Sequence, residues 1–91
     1  MTSNRPKALV TGASSGIGAA TAVELARRGM AVAVHYFNNE EGGRRTAQAI
    51  RDAGGEAFPI KADMRQQREV QRMVADVLKE FETLEVLVNN D

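Results

Sequence analysis

Apolar and polar positions fall in blocks along this chain, and the period changes from block to block. Lys7–Val10 is a short apolar run of the kind that makes a buried strand. Residues 17–28 read as a helix, with Ala20, Val23, Leu25 and Ala26 expected to turn inward. Gly29 stops it just after Arg27 and Arg28, basic residues suited to the negative end of the helix dipole. Ala31–Tyr36 is a second near-continuous apolar run, as in a strand covered on both faces. Asn38 and Asn39 can cap a second helix, with Glu40 and Glu41 in its first turn. That helix should reach Ala53 and bury Ala47, Ala49 and Ile50, while Gly42 and Gly43 weaken its start and Gly54–Gly55 ends it. Residues 56–62 form a third strand, placed at an edge by Pro59, which cannot complete a central ladder. After Asp63, Val70, Met73, Val74, Val77, Leu78 and Phe81 recur at helical spacing as one stripe. Residues 85–89 make a fourth strand.

Strands alternating with helices imply parallel pairing through right-handed crossovers. If the sheet is doubly wound, the spatial order is third, second, first, fourth. The expected fold is therefore α/β: a partial, three-layer, Rossmann-type sheet of four strands and three helices.

Composition narrows the chemistry. Twelve basic and twelve acidic side chains cancel, which argues against a dedicated nucleic-acid binder. With no cysteine there is no disulfide frame or thiolate metal site, and one histidine cannot build a zinc cluster. That histidine, His35, is expected to be a partly exposed strand residue. The polar start, residues 1–7, lacks the apolar run of about 7–15 residues that a secretory leader needs. No stretch approaches the ~20 apolar residues of a spanning helix, so a cytoplasmic protein with no membrane partner is expected.

The chemistry concentrates in the turn from first strand to first helix, Thr11-Gly12-Ala13-Ser14-Ser15-Gly16-Ile17-Gly18. Amides at a helix N-terminus lack intrahelical partners and sit at the positive dipole end, so they suit a phosphate. Gly12 can make the turn, Gly16 can let backbone approach a pyrophosphate, and Gly18 can let helix pack on strand. Ser14 and Ser15 add hydroxyl donors. No Lys-Ser or Lys-Thr ends the turn, which excludes a nucleoside-triphosphatase loop.

This turn resembles the Thr-Gly-x-x-x-Gly-x-Gly signature of the short-chain dehydrogenase/reductase family, with Ile17 inside the motif. Two further stations match in order. Asp63, with Met64 beside it, resembles the family's adenine-contacting acid, and Asn89-Asn90 resembles the start of its Asn-Asn-Ala-Gly motif. The resemblance covers essentially the whole chain, and 3-oxoacyl-carrier-protein reductases and glucose dehydrogenases are the most similar in character. It implies NAD(P)-dependent oxidation or reduction between carbonyl and alcohol, with residues 1–91 as the N-terminal half of the cofactor domain.

Cofactor choice can be argued from charge. The acid that bonds an NAD ribose usually stands about 20 residues past the glycines. Here that place holds Tyr36 or Phe37, and no carboxylate follows until Glu40. Tyr36, Asn38 and Asn39 offer neutral hydrogen bonds, so NADP is favoured over NAD. Ser15 stands where NADP-preferring relatives often carry a basic residue. The arginines at 44, 45, 51, 65, 68 and 72 are expected on solvated helix faces.

The resemblance also implies a Tyr-x-x-x-Lys proton relay, which these residues lack: Tyr36 is the one tyrosine, with Glu40 four places on. No catalytic residue is therefore assigned, and the chain is expected to be inactive alone. Asp91 stands where the family has Ala-Gly, placing carboxylates beside the expected cofactor ribose. The fourth strand would be an exposed edge carrying Val86, Leu87 and Val88. That edge predicts self-association or pairing with a complementary C-terminal half. The alternative reading is a non-catalytic nucleotide-binding or assembly module.

Overall fold

The computed structural model describes residues 3–90, so the expectation for Asp91 lies outside the described residues. The two most apolar runs form the centre of one parallel sheet. They are β1 (Lys7–Val10) and β2 (Ala31–Tyr36), and every residue in both is buried. β3 (Ala57–Lys61) pairs with the far side of β2, and β4 (Val86–Val88) with the far side of β1. The order β3-β2-β1-β4 is the expected one, and Pro59 lies on an edge strand, where a missing donor is tolerated.

Strand parity divides the core. On one face Val10, Val32 and Val34 meet Ala22 of α1 (Gly16–Arg27) and Ala47 and Ile50 of α2 (Glu40–Asp52). On the other, Leu9, Ala31, Ala33 and Ile60 meet Met73, Val77 and Phe81 of α3 (Gln67–Phe81). Phe81 also sets its ring edge-on against Phe58, centroids 5.0 Å apart.

Several inward-facing expectations need correction. Ala22 is buried in α1 and Ala20 is exposed. The inward face of α1 starts at Gly18, packed against Gly12, and Ala22 is one turn on, whereas Ala20 lies about 200° around the helix. In α2 the buried face runs through Gly43, Thr46, Ala47 and Ile50, leaving Ala49 exposed. Leu78, expected within the α3 stripe, is 41% exposed because the buried line follows 73, 77 and 81 at intervals of four.

Gly42 and Gly43 do not merely weaken α2. A Cβ on Gly43 would stand 2.6 Å from the Tyr36 ring, and one on Gly42 would meet the Ser14 carbonyl oxygen. The pair lets α2 lie close against β2 and the glycine turn. Asn39 caps the helix as expected, its Oδ1 accepting from the Gly42 amide at 3.0 Å.

Candidate functional site

The cavity forms where the C-terminal ends of β1, β2 and β3 open, the usual place for a ligand in a doubly wound sheet. Its floor is stitched by side chains. The Thr11 hydroxyl oxygen accepts from the Asn90 amide at 2.8 Å, and Asn90 Nδ2 donates to the Gly12 carbonyl at 3.2 Å. The Thr11 amide donates to the Val88 carbonyl at 3.0 Å. These bonds bind the glycine turn to the end of β4.

His35 makes the second set of ties and is 3% exposed, so its expected partial exposure is overturned. The Gly12 amide donates to His35 Nδ1 at 3.0 Å, and Nε2 lies 2.9 Å from the Ala62 carbonyl. This arrangement requires a bare Nδ1 and a proton on Nε2. The Ala13 amide also donates to the His35 carbonyl at 2.8 Å. One imidazole therefore joins the turn after β1 to the segment after β3, and its two partners account for its burial.

The glycines divide by the space around them. A Cβ on Gly18 would collide with the Gly12 carbonyl oxygen, and one on Gly12 with the Asn90 carbonyl oxygen. Gly16, with φ +59°, has nothing within 4 Å of where a Cβ would stand. Two glycines are thus required by the protein's own packing, while Gly16 faces open space at the start of α1. Ser15 at the N-cap makes no side-chain bond to the first-turn amides. The contrast with the Asn39-capped α2 is direct: α2 satisfies its own N-terminus, and α1 leaves amides available to an external acceptor.

The cavity itself measures about 700 Å³, within the range of roughly 300–1,000 Å³ usual for small-molecule sites. Of the expected site residues, Gly12, Ser14, Ser15, Asn38, Asp63, Met64 and Asn90 line it. Gly16, Ile17 and Gly18 are not among its walls; they form the first turn of α1, with Ile17 78% exposed. Tyr36 is not a wall residue either. Its ring packs on Gly43 of α2.

His35 and Arg65 line the cavity beyond the expected residues, as do Phe37 and Asn39, which the sequence places near the cofactor ribose. Period-two parity was the available signal for two of them, because His35 and Phe37 share the strand face opposite Tyr36. Arg65 was expected on a solvated helix face, but α3 begins only at Gln67, and Arg65 lies in the loop before it.

Asp63 and Arg65 form a fork-shaped ion pair: Nε to Oδ1 and Nη2 to Oδ2, each 3.0 Å. The Arg65 guanidinium first, and then the Arg65 backbone amide, hold the Asp63 carboxyl down from 3.8 to about 2. The guanidinium also lies over the Phe37 ring, 5.1 Å from its centroid. Because the folded value is depressed, the pair stabilises the fold above the ordinary carboxylate value, and that contribution is lost as pH falls through about 2. Asp63→Asn should therefore be less stable than wild type above about pH 5, with the difference shrinking toward about pH 2. Urea denaturation across that pH range checks this; a difference that grows on acidification would contradict the assignment.

Residues 6–91 match the family model for short chain dehydrogenases. The chain belongs to the short-chain dehydrogenase family. Among its relatives, the Bacillus subtilis short-chain dehydrogenase/reductase homolog YusS is 43% identical over 83 residues, covering 91% of this chain and 76% of that protein. The Staphylococcus aureus 3-oxoacyl-[acyl-carrier-protein] reductase FabG is 42% identical over 83 residues, but only 34% of its length is spanned. The actinorhodin polyketide ketoreductase solved with NADPH superposes with a TM-score of 0.89 and 41% identity, covering 99% of this chain and 34% of the ketoreductase. This dehydrogenase-family chain thus spans about a third of the length of the reductases it matches. Among the described residues no helix is long and apolar enough to cross a membrane.

Proposed function

We propose that the cavity holds the adenosine and pyrophosphate of a nicotinamide dinucleotide, NADP in preference to NAD. On this reading residues 1–91 are the N-terminal, cofactor-holding half of a cytoplasmic carbonyl/alcohol oxidoreductase. The observation that carries it is the uncapped start of α1 with Gly16 open beside it, next to a cavity walled by Gly12, Ser14 and Ser15. The NADPH named with the actinorhodin ketoreductase supports the same choice of ligand.

The residues present fit the group. First-turn amides of α1 and the Ser14 and Ser15 hydroxyls would receive the pyrophosphate. Asp63, Met64, Asn38 and Asn90 would surround the adenosine and ribose. Among the described wall residues Asp63 is the one carboxylate, and its pairing with Arg65 leaves it no unpaired negative charge to repel a 2′-phosphate. When bound, the reduced cofactor supplies a hydride to a carbonyl. The proton that must follow has no phenol among the described cavity walls to supply it: Tyr36, the one tyrosine, sets its ring on Gly43. The chain alone is therefore expected to bind cofactor without turning over substrate.

A second reading, a stand-alone nucleotide-binding or assembly module, is favoured by one relative. The 83 aligned residues are 76% of YusS, so that protein has about 109 residues (83/0.76). Either reading is compatible with pairing through the β4 edge, where Leu87 is 62% exposed, to a second copy or a complementary C-terminal half.

Calorimetric titration with NADPH, NADH and ADP-ribose tests both readings. Saturable binding, tighter for NADPH than for NADH, is expected. No binding to any of the three would overturn the cofactor reading and the nucleotide-binding form of the second, leaving only an assembly module, and carbonyl reduction by the purified chain would overturn the claim that it lacks a proton donor.

A further inference from the structure

Arg65 lies in the loop between β3 and α3, outside any helix face, and its side chain reaches the cavity from there. Its guanidinium is positioned from two sides, by the Asp63 carboxylate and by the Phe37 ring. Those partners come from different loops, so the guanidinium spans the mouth between the ends of β2 and β3. Of its five N–H donors, the Asp63 fork uses Nε and one on Nη2. Three donors remain, enough for a second oxyanion beside the first. Among the described walls one other basic side chain is present, His35, whose two ring nitrogens are already engaged by Gly12 and Ala62.

Ser15 in the glycine turn and Phe37 just after β2 are both uncharged. A dianionic phosphate entering this cavity would therefore find its fixed positive side chain at Arg65. We infer that Arg65, held between Asp63 and Phe37, is the residue that selects a 2′-phosphorylated dinucleotide over its unphosphorylated counterpart. This rests on the nucleotide-binding reading above and adds the residue that sets its selectivity. Asp63 acts as a positioning residue in this scheme: it orients the guanidinium and leaves its outer donors to the ligand.

The test is calorimetric titration of the full chain, Arg65→Ala and Arg65→Lys with NADPH and with NADH, at low and high salt. Losing a charge-assisted hydrogen-bonding pair should weaken NADPH binding about ten- to hundredfold in Arg65→Ala. NADH binding should change by less than about threefold, since it lacks the phosphate. Arg65→Lys keeps the charge without the planar fork and should fall between. The salt dependence of NADPH binding should flatten in Arg65→Ala toward that of NADH. Equal losses for both cofactors, an unchanged ratio, or a wild-type chain that binds both equally would overturn the assignment while the nucleotide reading stands. A wild-type chain that binds neither would overturn both together.

Discussion

Replacing Gly18 with alanine is expected to be the most damaging single substitution in the glycine turn. The added methyl would overlap the Gly12 carbonyl oxygen and come within 2.6 Å of Asn90 Nδ2. Neither neighbour can yield cheaply. Gly12 is held by His35 through its amide and by Asn90 through its carbonyl, and Asn90 is held in turn by Thr11. Relief requires α1 to lift from β1, which opens the packing of Ala22 with Val10 and Val32. Overpacking of this kind costs about 3 kcal/mol or more. A domain of this size has roughly 5–14 kcal/mol in all, so the variant should melt far below wild type or fail to fold. Gly16→Ala is the control: it meets no neighbour and should lose only about 1–2 kcal/mol for its left-handed backbone. Urea denaturation of the two variants measures the contrast, and similar losses for both would mean that the close approach of α1 to the turn is wrong.

The second large effect is expected at His35. His35→Phe keeps a ring of similar size but strips the Gly12 amide of its acceptor and the Ala62 carbonyl of its donor. Each buried group left without a partner costs about 1–3 kcal/mol, so a loss of about 2–5 kcal/mol is expected. Because the Gly12 amide lies at the root of the cavity, its hydrogen-exchange protection should fall further than that of the β1 core. Cofactor affinity should fall with it, through a loosened turn. Unchanged protection at Gly12 would show that the imidazole does not hold the turn.

Much of this fold is written in local pattern. Lys7–Val10 and Ala31–Tyr36 announce central strands because both faces must be apolar, and Pro59 announces an edge. The α3 stripe is legible because polar residues surround it, although Leu78 shows that period alone does not locate its margin. The inward face of α1 was not legible, since a helix apolar on most sides lets tertiary contact choose; Gly18 chose it by packing on Gly12. At the site, the glycine turn, Asp63 and Asn90 could be found by spacing. His35, Phe37 and Arg65 could not be found by residue type alone. His35 is buried by two partners distant in sequence, and Arg65 belongs to the cavity because α3 starts two residues later than the last arginine of the loop. Tyr36 offers a hydroxyl by residue type, while strand parity sets its ring against α2.

On the proposed function, the amide-rich start of α1 and the adjoining cavity form one dinucleotide site. Amide proton–nitrogen correlation spectra recorded during titration with NADPH test it most directly. Saturable shifts are expected to concentrate at Ser15, Gly16, Ile17, Asn38, Asp63, Met64 and Arg65, with α2 beyond its first turn and the C-terminal part of α3 little changed. Saturable shifts that cluster instead on the exposed faces of α2 or α3, or no shifts at all, would contradict it.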